Sequence, residues 1–243
     1  VTFTKPVLDR AAAERSVSVT ASVPMTGRFE WRGDTVLQWL PDQFWPAHSQ
    51  ISLMAGGVKR NFETGATVLG VASISAHTFT VSIDGVVMRQ MPSSMGKPKF
   101  PTPIGSFTVL GKEKVVVMDS RTIGIPLEDP EGYKLTVADA VRITWGGVYV
   151  HSAPWSVGSQ GYANVSHGCL NVNPANARWF YDFSQPGDVV EVRDTGGAPL
   201  ELWQNGDWSV PWPQWLAGGA ATPSPPPPAG NNAASTPGGP GGR

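Results

Sequence analysis

Residues 165–172 read VSHGCLNV, and Cys169 in this stretch is the one cysteine of the 243-residue chain. In an extended backbone successive side chains point to opposite faces. Leu170 and Val172 then face one way, and His167, Cys169 and Asn171 face the other. The sulfur is thus expected on the more polar face of a short strand. Gly168 before it permits a positive φ or a close backbone approach. The next stretch is NPANARWFYDF (173–183). Asn173 is a good N-cap and Pro174 suits the first helical position. Ala177, Phe180 and Phe183 share one helical face, with Trp179 nearby. Pro186-Gly187 ends this short helix, and DVVEV (188–192) reads as a strand again.

Working outward, the rest of the chain is mainly β. HTFTVSIDGVVMRQM (77–91) places Asp84-Gly85 between two alternating runs, a strong hairpin cue. SFTVL (106–110), KVVVM (114–118) and VYVHS (148–152) add strands. Nearer the N-terminus SVSVTASV (16–23), RFEWR (28–32) and TVLQWL (35–40) alternate, with Gly33-Asp34 predicting a two-residue turn. ISLMAG (51–56) predicts another strand. Strands at this spacing over about 65 residues suggest a small β-sandwich, although no Cys-Trp-Cys framework marks it. Residues 195–217 carry Trp203, Trp208, Trp212 and Trp215, which are expected to pack back onto the protein. From 218 onward Pro, Gly, Ala, Ser and Asn dominate, as in PSPPPP (223–228), and a flexible or polyproline-like tail is expected. The expected division is 1–67, 68–194, 195–217 and 218–243.

Composition narrows the function. A net charge of −1 without a basic stripe argues against nucleic-acid binding. No apolar run is long enough to span a bilayer. The chain opens on Val1 with no apolar leader, as expected of a mature or trimmed fragment. With 23 prolines, 28 glycines and 10 tryptophans a helical bundle is disfavoured.

Cys169 has three readings: a small buried hydrophobe, a metal ligand or a nucleophile. The metal reading finds no CxxC, no HxxxH and no carboxylate between His151 and Asn171, so no metal or other cofactor is expected. A nucleophilic thiol needs a base, because few thiols are ionised at neutral pH. Of the four histidines, His48 and His77 read as structural. His167 lies two residues from Cys169, about 6–7 Å away along a strand, and serves better as a brace. His151 ends an apolar strand, and the loop SAPWSVGSQGYANV can fold it back to the cysteine. The long connection from Met118 to Val141 reads either as a lid or as an ordinary surface loop.

His151, fourteen residues, then Ser166-His167-Gly168-Cys169-Leu170-Asn171 resembles the signature of the L,D-transpeptidases with a YkuD-type catalytic domain. TPIGSFTV (102–109), MDSRTIGIP (118–126), EGYKL (131–135) and HSAPW (151–155) are similar to further parts of that domain. WRGDTVLQWLPDQFWP (31–46) is similar to the immunoglobulin-like domain preceding it in the mycobacterial-type branch. The resemblance covers roughly residues 15–217. It implies an immunoglobulin-like β-sandwich followed by a β-rich catalytic domain with a short helix after the cysteine. It also implies an extracytoplasmic, cell-envelope enzyme, anchored through a segment before Val1. That enzyme takes peptidoglycan stem peptides: a tetrapeptide donor and the diamino-acid amine of an acceptor. It forms 3→3 cross-links through a thioester with loss of D-Ala, and carbapenems acylate the same sulfur.

By that resemblance Cys169 is the nucleophile, His151 the base and Ser152 the residue orienting it. The N–H groups of Gly168 and Cys169, with the Tyr133 hydroxyl, form the oxyanion hole. His167, Asn171, Ser166, Met118 and Trp155 shape the pocket. Asn171 stands where many members have arginine, and Ile123 where this branch often has tyrosine, so the anchoring of substrate and the packing of the lid depart from the usual pattern. Two alternatives share the residues: an L,D-carboxypeptidase or cysteine peptidase on wall peptides, and a non-catalytic wall-binding scaffold.

Overall fold

A computed structural model describes residues 1–194, 196–201 and 204–216. The N-terminal half holds a short helix α1 (Arg10–Arg15) and strands β1 (Val17–Ala21), β2 (Gly27–Arg32), β3 (Val36–Pro41), β4 (Gln50–Ala55) and β5 (Val58–Glu63). They form a two-stranded sheet, β2-β3, and a three-stranded sheet, β1-β4-β5. Leu37 and Ile51, one from each sheet, are buried to 1 % exposure. The β2-β3 connection has three residues, since Arg32 pairs with Val36. Gly33 alone there has positive φ, whereas a two-residue type I′ turn needs it at both central positions. Strand β5 gave no apolar alternation because all six of its side chains are exposed. Its register is set by Gly56 and Gly57, both with positive φ, between paired Ala55 and Val58.

The second half contains β6 (Val68–Ser73), β7 (Thr78–Ile83), β8 (Val86–Pro92), β9 (Gly105–Thr108), β10 (Gly111–Asp119), β11 (Lys134–Arg142), β12 (Tyr149–Ser152), β13 (Leu170–Val172), α2 (Pro174–Phe183) and β14 (Val189–Arg193). One sheet runs β8-β7-β6-β14-β9 and the other β10-β11-β12-β13. The Asp84-Gly85 turn joins β7 to β8 with both residues at positive φ. Helix α2 starts at Asn173, whose side chain accepts from the Asn176 N–H, and buries Ala177 and Phe180. The main core joins both sheets and the helix through Phe79, Phe107, Val150, Leu170, Val172, Phe180 and Val190.

The long connection after Met118 is shorter than the sequence suggested. Residues 134–142 are strand β11, paired antiparallel along β10, and only residues 120–133 form the loop between them. Asp139, at φ 49°, breaks the alternation that would have revealed this strand. The described part of the C-terminal segment makes a ring contact with the N-terminal half. The Trp208 ring stacks on Phe44 of the N-terminal half at 4.0 Å, and a short helix α3 (Trp212–Leu216) closes it. Trp203 and the tail from 218 onward lie outside the described residues. No helix among the described residues is long and apolar enough to cross a membrane.

Candidate active site

Strands β12 and β13 run parallel, with Val150 opposite Leu170 and His151 opposite Asn171. Val150 and Leu170 face the main core. Tyr149, His151, Cys169 and Asn171 therefore rise from the other face. Cys169 is half-buried and packs with Val137, Ala140 and Tyr149, next to Met118. Its Sγ donates to the Gly147 carbonyl at 3.6 Å. It opens on a cleft of about 210 Å³, lined also by Met118, Asp119, Ile123, Tyr133, Arg142, Trp145 and His167.

The turn before the sulfur is tied from several sides. Ser166 donates through Oγ to the Cys169 carbonyl at 2.7 Å and accepts from the Gly168 N–H at 3.1 Å. Buried Thr102 donates to the Gly168 carbonyl at 2.9 Å and accepts from the Gly96 N–H at 2.8 Å. Gly168 itself has φ 121°, a region costly for any other residue. His167 lies between the rings of Phe100 and Tyr133, each centroid 4.8 Å away. Its Nε2 is 3.0 Å from Glu131 on the 120–133 loop, and Glu131 is also paired with Lys97.

His151 is buried to 2 % exposure. Its Nδ1 lies 2.9 Å from the Ser152 carbonyl, which only accepts. Nδ1 thus carries the proton and Nε2 keeps the lone pair. Burial pushes the imidazole down to about 4, and pushes the Cys169 thiol up to about 11. The pair is therefore neutral at rest. Burial, then the charges of Cys169 and Asp119, raises Tyr133 to about 12, so its phenol stays a donor at neutral pH. His167 is lowered by burial and next by Lys97, against the pull of Glu131. Asp119, hydrogen-bonded to the Arg121 guanidinium, falls to about 2. Among the described residues no group of three or more His, Cys, Asp or Glu could hold a metal.

Comparison with known proteins places this geometry. The family description "L,D-transpeptidase catalytic domain" (YkuD) matches residues 68–192, and "Bacterial Ig domain" matches residues 1–57. L,D-transpeptidase 1 of Mycobacterium tuberculosis is 58 % identical over 192 residues, 79 % of this chain and 76 % of that protein. The chain belongs to the L,D-transpeptidase family. A solved L,D-transpeptidase from Mycobacterium smegmatis is 68 % identical, with a TM-score of 0.73 over 80 % of this chain and 89 % of that one. LD transpeptidase LdtMt1 in complex with imipenem is 58 % identical, TM-score 0.71, covering 79 % and 89 %. L,D-transpeptidase 3 from M. tuberculosis in complex with a faropenem-derived adduct is 51 % identical, TM-score 0.69, covering 80 % and 90 %. This chain is an L,D-transpeptidase with an immunoglobulin-like domain ahead of its catalytic domain.

In this transpeptidase the expected site residues separate into groups. Cys169, Met118, Tyr133 and His167 line the cleft. His151, Ser152, Ser166 and Asn171 are buried and do not. Ser152 meets His151 through its backbone carbonyl. The Ser166 hydroxyl is spent within the turn, so it positions Cys169 and is not free to hold substrate. The Gly168 N–H is likewise engaged with Ser166 and is not a free oxyanion donor in this geometry. Asn171 donates through Nδ2 to Ser156 Oγ at 3.2 Å. It lies under the surface, opposite the equally buried His151. Trp155 is half-exposed on the turn Pro154–Ser156, its ring 6.0 Å from His151. Sequence reasoning missed Thr102, Glu131 and Gly147. Their contacts are set by strand pairing and by backbone atoms, and the sequence carries no local sign of either.

Proposed function

We propose that the chain makes 3→3 cross-links in peptidoglycan outside the cytoplasm, with residues 68–194 as the catalytic unit and 1–67 as its leading domain. The observation that carries this is a lone thiol at the floor of a cleft, on the same sheet face as a buried imidazole with a fixed tautomer. The thiol turns from the Gly147 carbonyl toward His151 Nε2 and attacks the carbonyl of the third residue of a tetrapeptide stem. As the C–S bond forms, the sulfur's proton passes to His151. Negative charge grows on the carbonyl oxygen, where the Cys169 N–H and the Tyr133 hydroxyl donate. The C–N bond then breaks, and His151 returns the proton to the departing amine of D-Ala. A thioester remains.

The side-chain amine of a second stem attacks that thioester, and His151 accepts a proton from it. The new amide forms and the thiol is restored. A neutral resting pair suits this sequence, because proton transfer then accompanies bond formation. Carbapenems acylate Cys169 by opening their β-lactam amide in the same way. Intact-mass measurement after incubation with imipenem tests the reading. One adduct per chain is expected on wild type and none on Cys169→Ala. A full-yield adduct on the variant would remove the nucleophile assignment.

A further inference from the structure

Arg142 closes the wall of the cleft beyond the thiol. It lies on β11 opposite Tyr149 of β12, with its guanidinium carbon 4.8 Å from the Tyr149 ring centroid. Nε and Nη2 donate to Glu113 Oε1 at 3.1 and 3.0 Å. The Tyr149 hydroxyl donates to that same oxygen at 2.9 Å. Three neighbouring strands thus fix the plane of one guanidinium, while Nη1 has no hydrogen-bond partner among the described residues. The Arg142 side chain is 24 % exposed, and Tyr149 belongs to the small cluster against which Cys169 packs.

The other formally charged or basic groups of the cleft lining are committed, and Tyr133 and Cys169 are neutral. Asp119 is tied to Arg121 at 2.5 Å, and His167 is held by Glu131. Asn171 is neutral, buried and bonded to Ser156. Arg142 is therefore the standing cation of the cleft lining.

We propose that Arg142 is a specificity-determining residue whose free edge binds the terminal carboxylate of the donor stem, on the residue that leaves. This deepens the transpeptidase reading and rests on it. In a tetrapeptide that carboxylate lies one residue beyond the attacked carbonyl. Arg142 lies one aromatic ring beyond the attacking sulfur. A planar guanidinium held rigid loses little freedom on meeting a carboxylate. Glu113 keeps the pair neutral before substrate arrives, so the effect is that of a directed, charge-assisted hydrogen bond.

The test compares two donors with one acceptor: a tetrapeptide ending in a free carboxylate, and the same peptide ending in D-alaninamide. Wild type is expected to favour the acid by roughly 10- to 100-fold in kcat/KM. Arg142→Gln should collapse that ratio toward one, and Arg142→Lys should restore part of it. In Tyr149→Phe, which keeps the guanidinium, the ratio should survive. A wild type that treats both donors alike, or an Arg142→Gln variant that keeps the full preference, overturns the proposal. A wild type that turns over neither donor overturns the transpeptidase reading instead.

Discussion

At the scale of single residues, the resting site is built from two groups that burial keeps uncharged. His151 is lowered from its ordinary value of 6.5 to about 4. Between those pH values the unfolded chain binds a proton that the folded chain refuses. The stabilisation from this residue is full above pH 6.5 and is lost as the pH falls through the window to about 4. It amounts to about 3 kcal/mol. Urea unfolding at pH 7 and pH 4 is expected to show a steeper acid loss in wild type than in His151→Gln, by most of that amount. Equal acid losses in the two proteins would mean that His151 is charged in the fold. The same substitution should lower the acylation rate about 10²- to 10⁴-fold, the usual weight of a general base.

At the scale of elements, the turn from Ser166 to Cys169 is held by residues remote in sequence. Thr102, fully buried, bridges the Gly96 N–H and the Gly168 carbonyl. Thr102→Val keeps the shape and removes both bonds. It is expected to cost about 2 kcal/mol of stability and to slow acylation by imipenem, because the sulfur's backbone loses its tether. Stopped-flow acylation beside thermal unfolding checks this, and an unchanged rate in a folded variant would refute it. The same turn shows what the sequence could and could not tell. Leu170 and Val172 on one face with Cys169 on the other followed from alternation alone, and helix α2 followed from Asn173, Pro174 and its apolar spacing. Strand β11 was hidden by the positive φ of Asp139, and β5 by its six exposed side chains. Strand β6 was hidden by small residues, with Gly70 lying against the Phe79 ring and a parallel partner, β14, far along the chain. Residues such as Thr102 act through pairings that no local pattern encodes.

At the scale of the whole molecule, the C-terminal segment joins the two halves. Trp208 stacks on Phe44. Asn205 donates to the carbonyls of Thr108 and Ile143, each at 2.8 Å. The Gln204 carbonyl accepts from the Trp145 N–H, on the loop that carries Gly147. A second link runs from His48 to Asp84 at 2.9 Å. Trp208→Ala removes the larger contact and is expected to lower the unfolding temperature of the N-terminal half first, turning one calorimetric transition into two. A single transition at the wild-type temperature would show that the stacking does not couple the halves. The burial of Cys169 has a consequence for endurance as well. Peroxide oxidises the thiolate and spares the protonated form, so a thiol pushed up to about 11 resists that damage until His151 takes its proton during turnover. The chain has no other cysteine to condense with a sulfenic acid, and this protection stands in for the repair that a second thiol would provide.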